Sequence, residues 1–296
     1  MGYLPQRLAD LSTEEIALGF INALKLQGLE DAAEPQTVYN FEDTEYPDGK
    51  ISISMEAVRR APSAKTIRSS VMNALAVLPI TLMDDNYLAG VEFYEKYGRR
   101  YLYYGTLNEI SRHHRPELRK SNTSAAATSE KRSSHPYPLT VQDWNATTIL
   151  FSIPGDDLPK LEVAFHFTGL PLPKVGFFST IITMIHRLGL DDATNEVNMA
   201  EMSDNDRSAW IFVRKSPGTT FEFAVYHALA LLEGIARYSV QHDIYRELVY
   251  DLFADGELVS GGCVTQPVER RRWCAGLRGE GLHGIEQGDF PAYRAP

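Results

Sequence analysis

A chain of 296 residues can hold one large or two ordinary domains around a substantial buried core. With 44% apolar and 23% charged residues it sits near the globular average, which excludes wholesale disorder. The net charge of −10 is uneven: residues 1–108 carry 10 basic and 15 acidic groups, 109–138 carry 6 and 3, and 139–296 carry 13 and 21. Acidic folded parts repel a polyanion, so nucleic acid is not expected as a partner.

The first element is LSTEEIALGFINALKLQG. Ser12 and Glu15 form a capping box, Ile16, Phe20 and Leu24 line one face, and Gly28 is the expected stop. An acidic loop follows, then TVYNFEDTEYPDGKISISM, a hairpin turning at Pro47-Asp48-Gly49. SAKTIRSSVMNALAVL has helical spacing and is expected to close at Pro79. VEFYEKYGRRYLYYG is a second hairpin around Tyr97-Gly98.

Residues 109–138 are basic, rich in Ser and Ala, and without apolar periodicity, which predicts a flexible linker or loop. It divides the chain into an N-terminal part, 1–108, and a C-terminal part, 139–296, although the two can equally form one composite domain.

TTILFSIPGDDLPKLEVAFHF is the third hairpin, and LPLPKVGFFSTIITMIHRLG a helix from Pro173 to Gly189. DDATNEVNMAEMSDNDR is expected as an acidic loop, SAWIFVRK as a strand, and 219–241 as the longest, most apolar helix. RELVYDLFADGELVSGGCV is the fourth hairpin, turning at Asp255-Gly256, with Gly261-Gly262 marking a bulge or close packing. PVERRRWC is a candidate short helix before an irregular Gly-rich tail. Both parts run hairpin, Pro-started helix and later hairpin, which raises a duplication, but no residue-level repeat is evident. The fold class expected is α+β, with mostly antiparallel hairpin-built sheet against several helices.

The loop from Asp251 fails the calcium-loop pattern, with Phe253 third and Gly262 twelfth, and SGGC lacks the spacing of a dinucleotide fingerprint. No GxSxG, HExxH, P-loop or kinase signature occurs, and the residues match the motif of no characterised family. Cys263 and Cys274 lie without a CxxC or a His cluster, and adjacent His113-His114 point apart, so no metal and no cofactor is expected. The two cysteines read as buried thiols, or as one disulfide in an exported protein.

Five residues stand out as weak ligand-binding candidates. His166 shares a strand face with Glu162, Ala164 and Thr168, a row that suits solvent or a covered pocket. Tyr226, Glu233 and Arg237 share a stripe of the long helix, where the plain reading is an i,i+4 ion pair on its wet side. Asp251 alternates with Val249 and Phe253, either on an edge strand in water or on a strand buried on both faces. YGRRYLYYG lacks the defined pattern of base-stacking sheets and suits a protein interface better.

These residues predict a soluble binding or interaction module, with a protein or small apolar ligand as partner and an internal apolar pocket as one option. The alternatives are a cofactor-independent enzyme using the buried polar residues, and a homo-oligomer joined through the Tyr-rich hairpin 91–104. No apolar run is long enough to span a bilayer and no leader is visible, so a cytoplasmic location is expected; an exported chain with its leader removed would read alike.

Overall fold

The computed structural model describes residues 2–5, 11–30, 38–42, 51–57, 64–86, 90–97, 100–109, 149–153, 160–204 and 208–266. In chain order the elements are β1 (Gly2–Pro5), α1 (Thr13–Leu29), β2 (Val38–Glu42), β3 (Ile51–Ala57), α2 (Ala64–Asp84), β4 (Val91–Tyr97) and β5 (Arg100–Glu109). Then follow β6 (Ile149–Ile153), β7 (Leu161–Pro171), α3 (Lys174–Leu188), β8 (Met199–Ser203), β9 (Trp210–Lys215), α4 (Val225–His242), β10 (Arg246–Ala254) and β11 (Glu257–Thr265). This is an α+β fold with two antiparallel sheets. No helix among the described residues is long and apolar enough to cross a membrane.

Sheet A has the order β1-β4-β5-β3-β2, and sheet B the order β6-β7-β10-β11-β9-β8. Helix α1 packs against α2, α3 and α4, and reaches sheet A at β3, where a Cβ on Gly19 would fall 2.0 Å from Ile51. On the other side α3 lies on β8 and β9, and Tyr238 of α4 sits 4.6 Å, ring to ring, from Phe165 of β7. The helices therefore fill the space between the sheets. One continuous buried cluster contains Phe20, Leu75, Phe93, Phe177, Leu232 and Tyr250, from both parts of the chain. Burying such side chains contributes roughly 1.5–3 kcal/mol each.

The two parts repeat one plan. Read from β2 or from β8, the strand orders coincide: β2-β3-β5-β4-β1 and β8-β9-β11-β10-β7, with β6 added at the end. Thr13, Val38 and Ala64, which open α1, β2 and α2, each precede by 161 residues Lys174, Met199 and Val225, which open α3, β8 and α4. That offset exposes a residue-level match hidden from the unaligned sequence: Gly28-Leu29-Glu30-Asp31-Ala32 against Gly189-Leu190-Asp191-Asp192-Ala193. The two glycines meet. A Cβ on Gly28 would lie 3.1 Å from the Gly189 Cα, and one on Gly189 3.3 Å from the Gly28 Cα. Arg68, buried on α2, donates to the carbonyls of Gln27, Gly28 and Gly189, and so satisfies orphan acceptors at the ends of both α1 and α3.

Several expectations hold. Ser12 and Glu15 form the capping box, α3 runs between Pro173 and Gly189, and Asp255 and Gly256 both take positive φ in the β10–β11 turn. Gly262 is a close-packing site, since a Cβ there would lie 1.8 Å from the Phe212 carbonyl, while the bulge falls instead at Leu252/Phe253.

Others are corrected. α1 continues through Gly28, which serves the contact with Gly189 rather than a stop. α2 runs through Pro79 to Asp84, and its apolar face, with Leu78, Leu82 and Met83 all buried, carries it past the missing donor. α4 begins at Val225, so Thr219–Ala224 are not helical. The acidic loop contains strand β8, whose MAEMS lacks β-branched residues and forms by pairing with β9. Glu109, the expected first residue of the linker, belongs to β5. The linker, His113-His114, and the expected helix and tail after Gln266 lie outside the described residues.

Candidate functional site

Alternation along sheet A separates two faces. Ile51, Ile53, Met55, Val91, Phe93, Tyr103 and Leu107 point to the helices and are buried. The opposite face presents a groove of about 330 Å³ lined by Ser54, Glu56, Glu92, Tyr94, Tyr104 and Thr106. Register fixes the layout. Tyr104 stands opposite Tyr94 on one side and Glu56 on the other; in the next row Thr106 stands opposite Glu92 and Ser54. Beneath, the Phe93 ring occupies the space a side chain at Gly105 would take, 2.4 Å from its Cβ position, so the groove floor cannot be repacked freely. Ser54 donates to Asn40 Oδ1 at 2.7 Å and Asn108 to Thr106 Oγ1 at 3.2 Å.

Tyr104 is 52% exposed, large for an aromatic ring on a rigid sheet. Two rings, two carboxylates and two hydroxyls within two rows suit a ligand with a positive group. The ring faces attract cations, and the carboxylates supply full charge nearby.

A second depression, about 200 Å³, lies between α2, the start of α3 and the β8–β9 connection, lined among others by Asp84, Gly176, Ser179, Asp204 and Ser208. Its buried carboxylate is already committed. Asp204 accepts from Ser208 Oγ at 2.5 Å and from the Ala209 amide at 3.0 Å, and Gly176 leaves room for that approach. These hydrogen bonds close the β8–β9 connection on itself, and Thr180 of α3 donates to the Ala209 carbonyl at 3.3 Å. Among the described residues no group of three His, Cys, Asp or Glu side chains is placed to hold a metal.

The five residues singled out from sequence fall in different places. Glu233 and Arg237 pair at 2.6 Å, and Lys25 of α1 joins Glu233 from the other side at 2.5 Å. The pair is buried in the α1–α4 contact, with the Glu233 side chain only 4% exposed, rather than on a wet face. Lys25 was legible only as a lone cation among leucines in ALKLQG. Tyr226 sits in the first turn of α4, its ring 3.9 Å from that of His227. Burial raises the Tyr226 hydroxyl above its ordinary pKa.

His166 lies in β7, paired in register with Val249. Asp251 is half-buried on β10, which is central rather than an edge strand, running between β7 and β11. It alternates with Tyr250 and Leu252, which face the helices, so it lies across the sheet from Glu233 and Arg237. The structure thus brings Glu233 and Arg237 together and leaves Asp251 apart from them.

Two histidines near the interior each have a structural partner. His227 Nδ1 accepts from the Ala224 amide at 3.1 Å and caps α4, and burial lowers its pKa to about 4. His186 lies 2.8 Å from Asn73 Oδ1 across α3 and α2, and burial lowers its pKa too. Tyr238, between sheet B and α4, is pushed up to about 12 by burial. Cys263 is disulfide-bonded, not a thiol as expected, and the chain's other cysteine, Cys274, lies outside the described residues.

Comparison of the chain with protein-family models, with curated proteins and with solved structures returns no match. Of the groove residues, Glu92, Tyr94 and Tyr104 fall in the Tyr-rich hairpin 91–104 that the sequence marks as a candidate interface, and Glu56 was not singled out. The period-2 pattern of VEFY and YYGT carries the first three, and only strand register brings Glu56 of β3 into the same groove.

Proposed function

We propose that this protein is a binding module that takes a basic polypeptide segment on the outer face of sheet A. The observation that carries the reading is the groove itself, with Tyr104 half-exposed between Tyr94 and Glu56 and with Glu92 in the adjoining row. An exposed ring flanked by carboxylates is suited to an Arg or Lys side chain, through cation–π attraction and charge pairing together. The net charge of −10 favours the same partner and steers its approach.

The test is anisotropy titration of a labelled hexa-arginine peptide with the full chain. Tyr104→Ala, or Glu56→Gln with Glu92→Gln, is expected to weaken binding at least about tenfold, the equivalent of 1.4 kcal/mol. Unchanged affinity in both variants removes the groove as the site. Light scattering in the same buffer addresses the homo-oligomeric alternative, which a monomer would eliminate.

A further inference from the structure

Leu26, Leu29 and Leu190 are three of the eight large apolar side chains that stand exposed among the described residues, at 45%, 39% and 43%. They are not scattered. Leu26 and Leu29 lie three apart on the last turn of α1, and so on one stripe. Leu29 and Leu190 each follow a glycine of the Gly28–Gly189 contact, so the two halves deliver their exposed leucines to one place. Glu30, Asp191 and Asp192 are exposed beside them. Asp192 is held in shape, accepting from the Thr194 amide at 2.9 Å and hydroxyl at 2.7 Å.

The local field is negative for a further reason. The C-terminal ends of α1 and α3 converge here, and each carries roughly half a negative charge. Arg68 answers part of this from inside, through the Gln27, Gly28 and Gly189 carbonyls. Outside, α1 has no basic residue in its last turn. On α3 the position matching Leu26 is Arg187, also exposed, so the apolar stripe is not repeated there.

We infer that this junction is a docking surface for a basic amphipathic helix of a protein partner. Its apolar face would cover the three leucines while Lys or Arg on its flanks meets Glu30, Asp191 and Asp192. A second copy of this chain is disfavoured, because a two-fold contact would set the same three carboxylates against themselves. An anionic lipid surface is repelled for the same reason. The surface is distinct from the sheet A groove and exists only because the two halves pack together.

The experiment titrates the full chain with a labelled amphipathic leucine–lysine helical peptide, and with a scrambled peptide of identical composition. The amphipathic peptide is expected to bind more tightly than the scrambled one. Leu29→Ser with Leu190→Ser, both at exposed sites that leave the core intact, is expected to weaken it about tenfold. Asp191→Asn with Asp192→Asn is expected to flatten its salt dependence. Tyr104→Ala should leave this peptide unaffected, just as the leucine variant should leave hexa-arginine unaffected, so the two surfaces can fail separately. Equal binding of the scrambled peptide, or unchanged binding by the leucine variant, would overturn the inference.

Discussion

Residues 2–109 and 149–266 follow one order of strands and helices, yet matched positions are filled with different chemistry. Glu233 of α4 is a buried carboxylate between Lys25 and Arg237, while the matching residue of α2, Met72, is an apolar side chain with no exposure. Lys25 itself matches His186, which reaches Asn73 instead. The cross-contacts α1–α4 and α3–α2 thus sit at matching places, one ionic and one neutral. What both halves share is the apolar stripe, which decides how the helices stack; the polar pair laid across it is interchangeable.

The outer faces of the two sheets differ as sharply. Sheet A presents carboxylates, hydroxyls and the exposed Tyr104. On sheet B the corresponding face carries Trp210, Val249 and Cys263, buried as a small cluster with Phe212 packed on it. Glu247 on the same face is satisfied by Thr265 Oγ1 at 2.6 Å and by the amides of Gln266 and Leu170. One plan therefore supports a face that keeps an exposed ring among carboxylates and a face whose side chains are buried, which is why the binding reading rests on sheet A.

The largest effect is expected where the halves differ most. Glu233→Ala leaves the Lys25 and Arg237 cations facing each other in a buried contact, and should cost about 3–5 kcal/mol, read as a lowered denaturant midpoint. Replacing all three, Lys25→Met, Glu233→Met and Arg237→Leu, imitates the apolar counterpart and should recover most of that loss. If the triple variant is as unstable as the single one, the ion group sets the helix packing and the two halves are not interchangeable.

The feature the halves share comes next. Gly28→Ala puts a Cβ 3.0 Å from Leu229 Cδ1 and 3.1 Å from the Gly189 Cα, so α1 and α3 must part slightly. Either Gly28→Ala or Gly189→Ala should destabilise by roughly 1–3 kcal/mol, as overpacking does. The double variant should cost less than the sum, because the first Cβ already opens the contact the second would strain. Strict additivity in a double-mutant cycle would show that the glycines do not share one contact.

A third effect belongs to the C-terminal half alone, since position 66, which matches His227, is Thr66. His227 stays neutral in the fold to about pH 4, whereas an exposed histidine takes up a proton near 6.5. Above the unfolded value neither state is protonated and its contribution is fully present. Between about 6.5 and 4 the unfolded chain binds a proton that the fold refuses, so stability falls as pH falls. The difference in denaturant midpoint between the native chain and His227→Asn should narrow through that window. A constant difference would mean that His227 opens to solvent before it titrates.

How much of this was legible in the sequence depends on which interaction decides each element. Capping and turn chemistry is local, so Ser12–Glu15, Pro173–Gly189 and Asp255-Gly256 could be read directly. β8 could not, because MAEMS becomes a strand by pairing with β9, and Pro79 misled because burial of the α2 face outweighs one lost donor. The order of elements raised a duplication, but its residue-level match was hidden because the loops between matched elements diverge and the one run that survives is Gly-Leu-acid-Asp-Ala. Of the site, the Tyr-rich hairpin was visible as a patch, but strand register alone places Tyr94, Tyr104, Glu56 and Glu92 around one groove. Asp251 drew notice for its letters, and topology moved it to a central strand, across the sheet from Glu233.

The smallest effect tests whether surface charge holds the halves together. Lys174 at the start of α3 reaches Glu14 of α1 at 2.6 Å and Asp243 at 3.0 Å, and lies 4.6 Å from the Tyr245 ring centre. The bond it donates to Glu14 raises its pKa, so its contribution is complete at neutral pH and is lost only as pH rises through that raised value. The lysine side chain is 44% exposed, so solvent and salt screen these contacts. Lys174→Ala should therefore cost no more than about 1 kcal/mol, and the difference should vanish at high salt. A loss well above that, shrinking as salt is added, would mean that α1 and α3 are joined at their N-terminal ends by charge. The small value leaves the apolar stripe and the Gly28–Gly189 contact to hold the two halves in register.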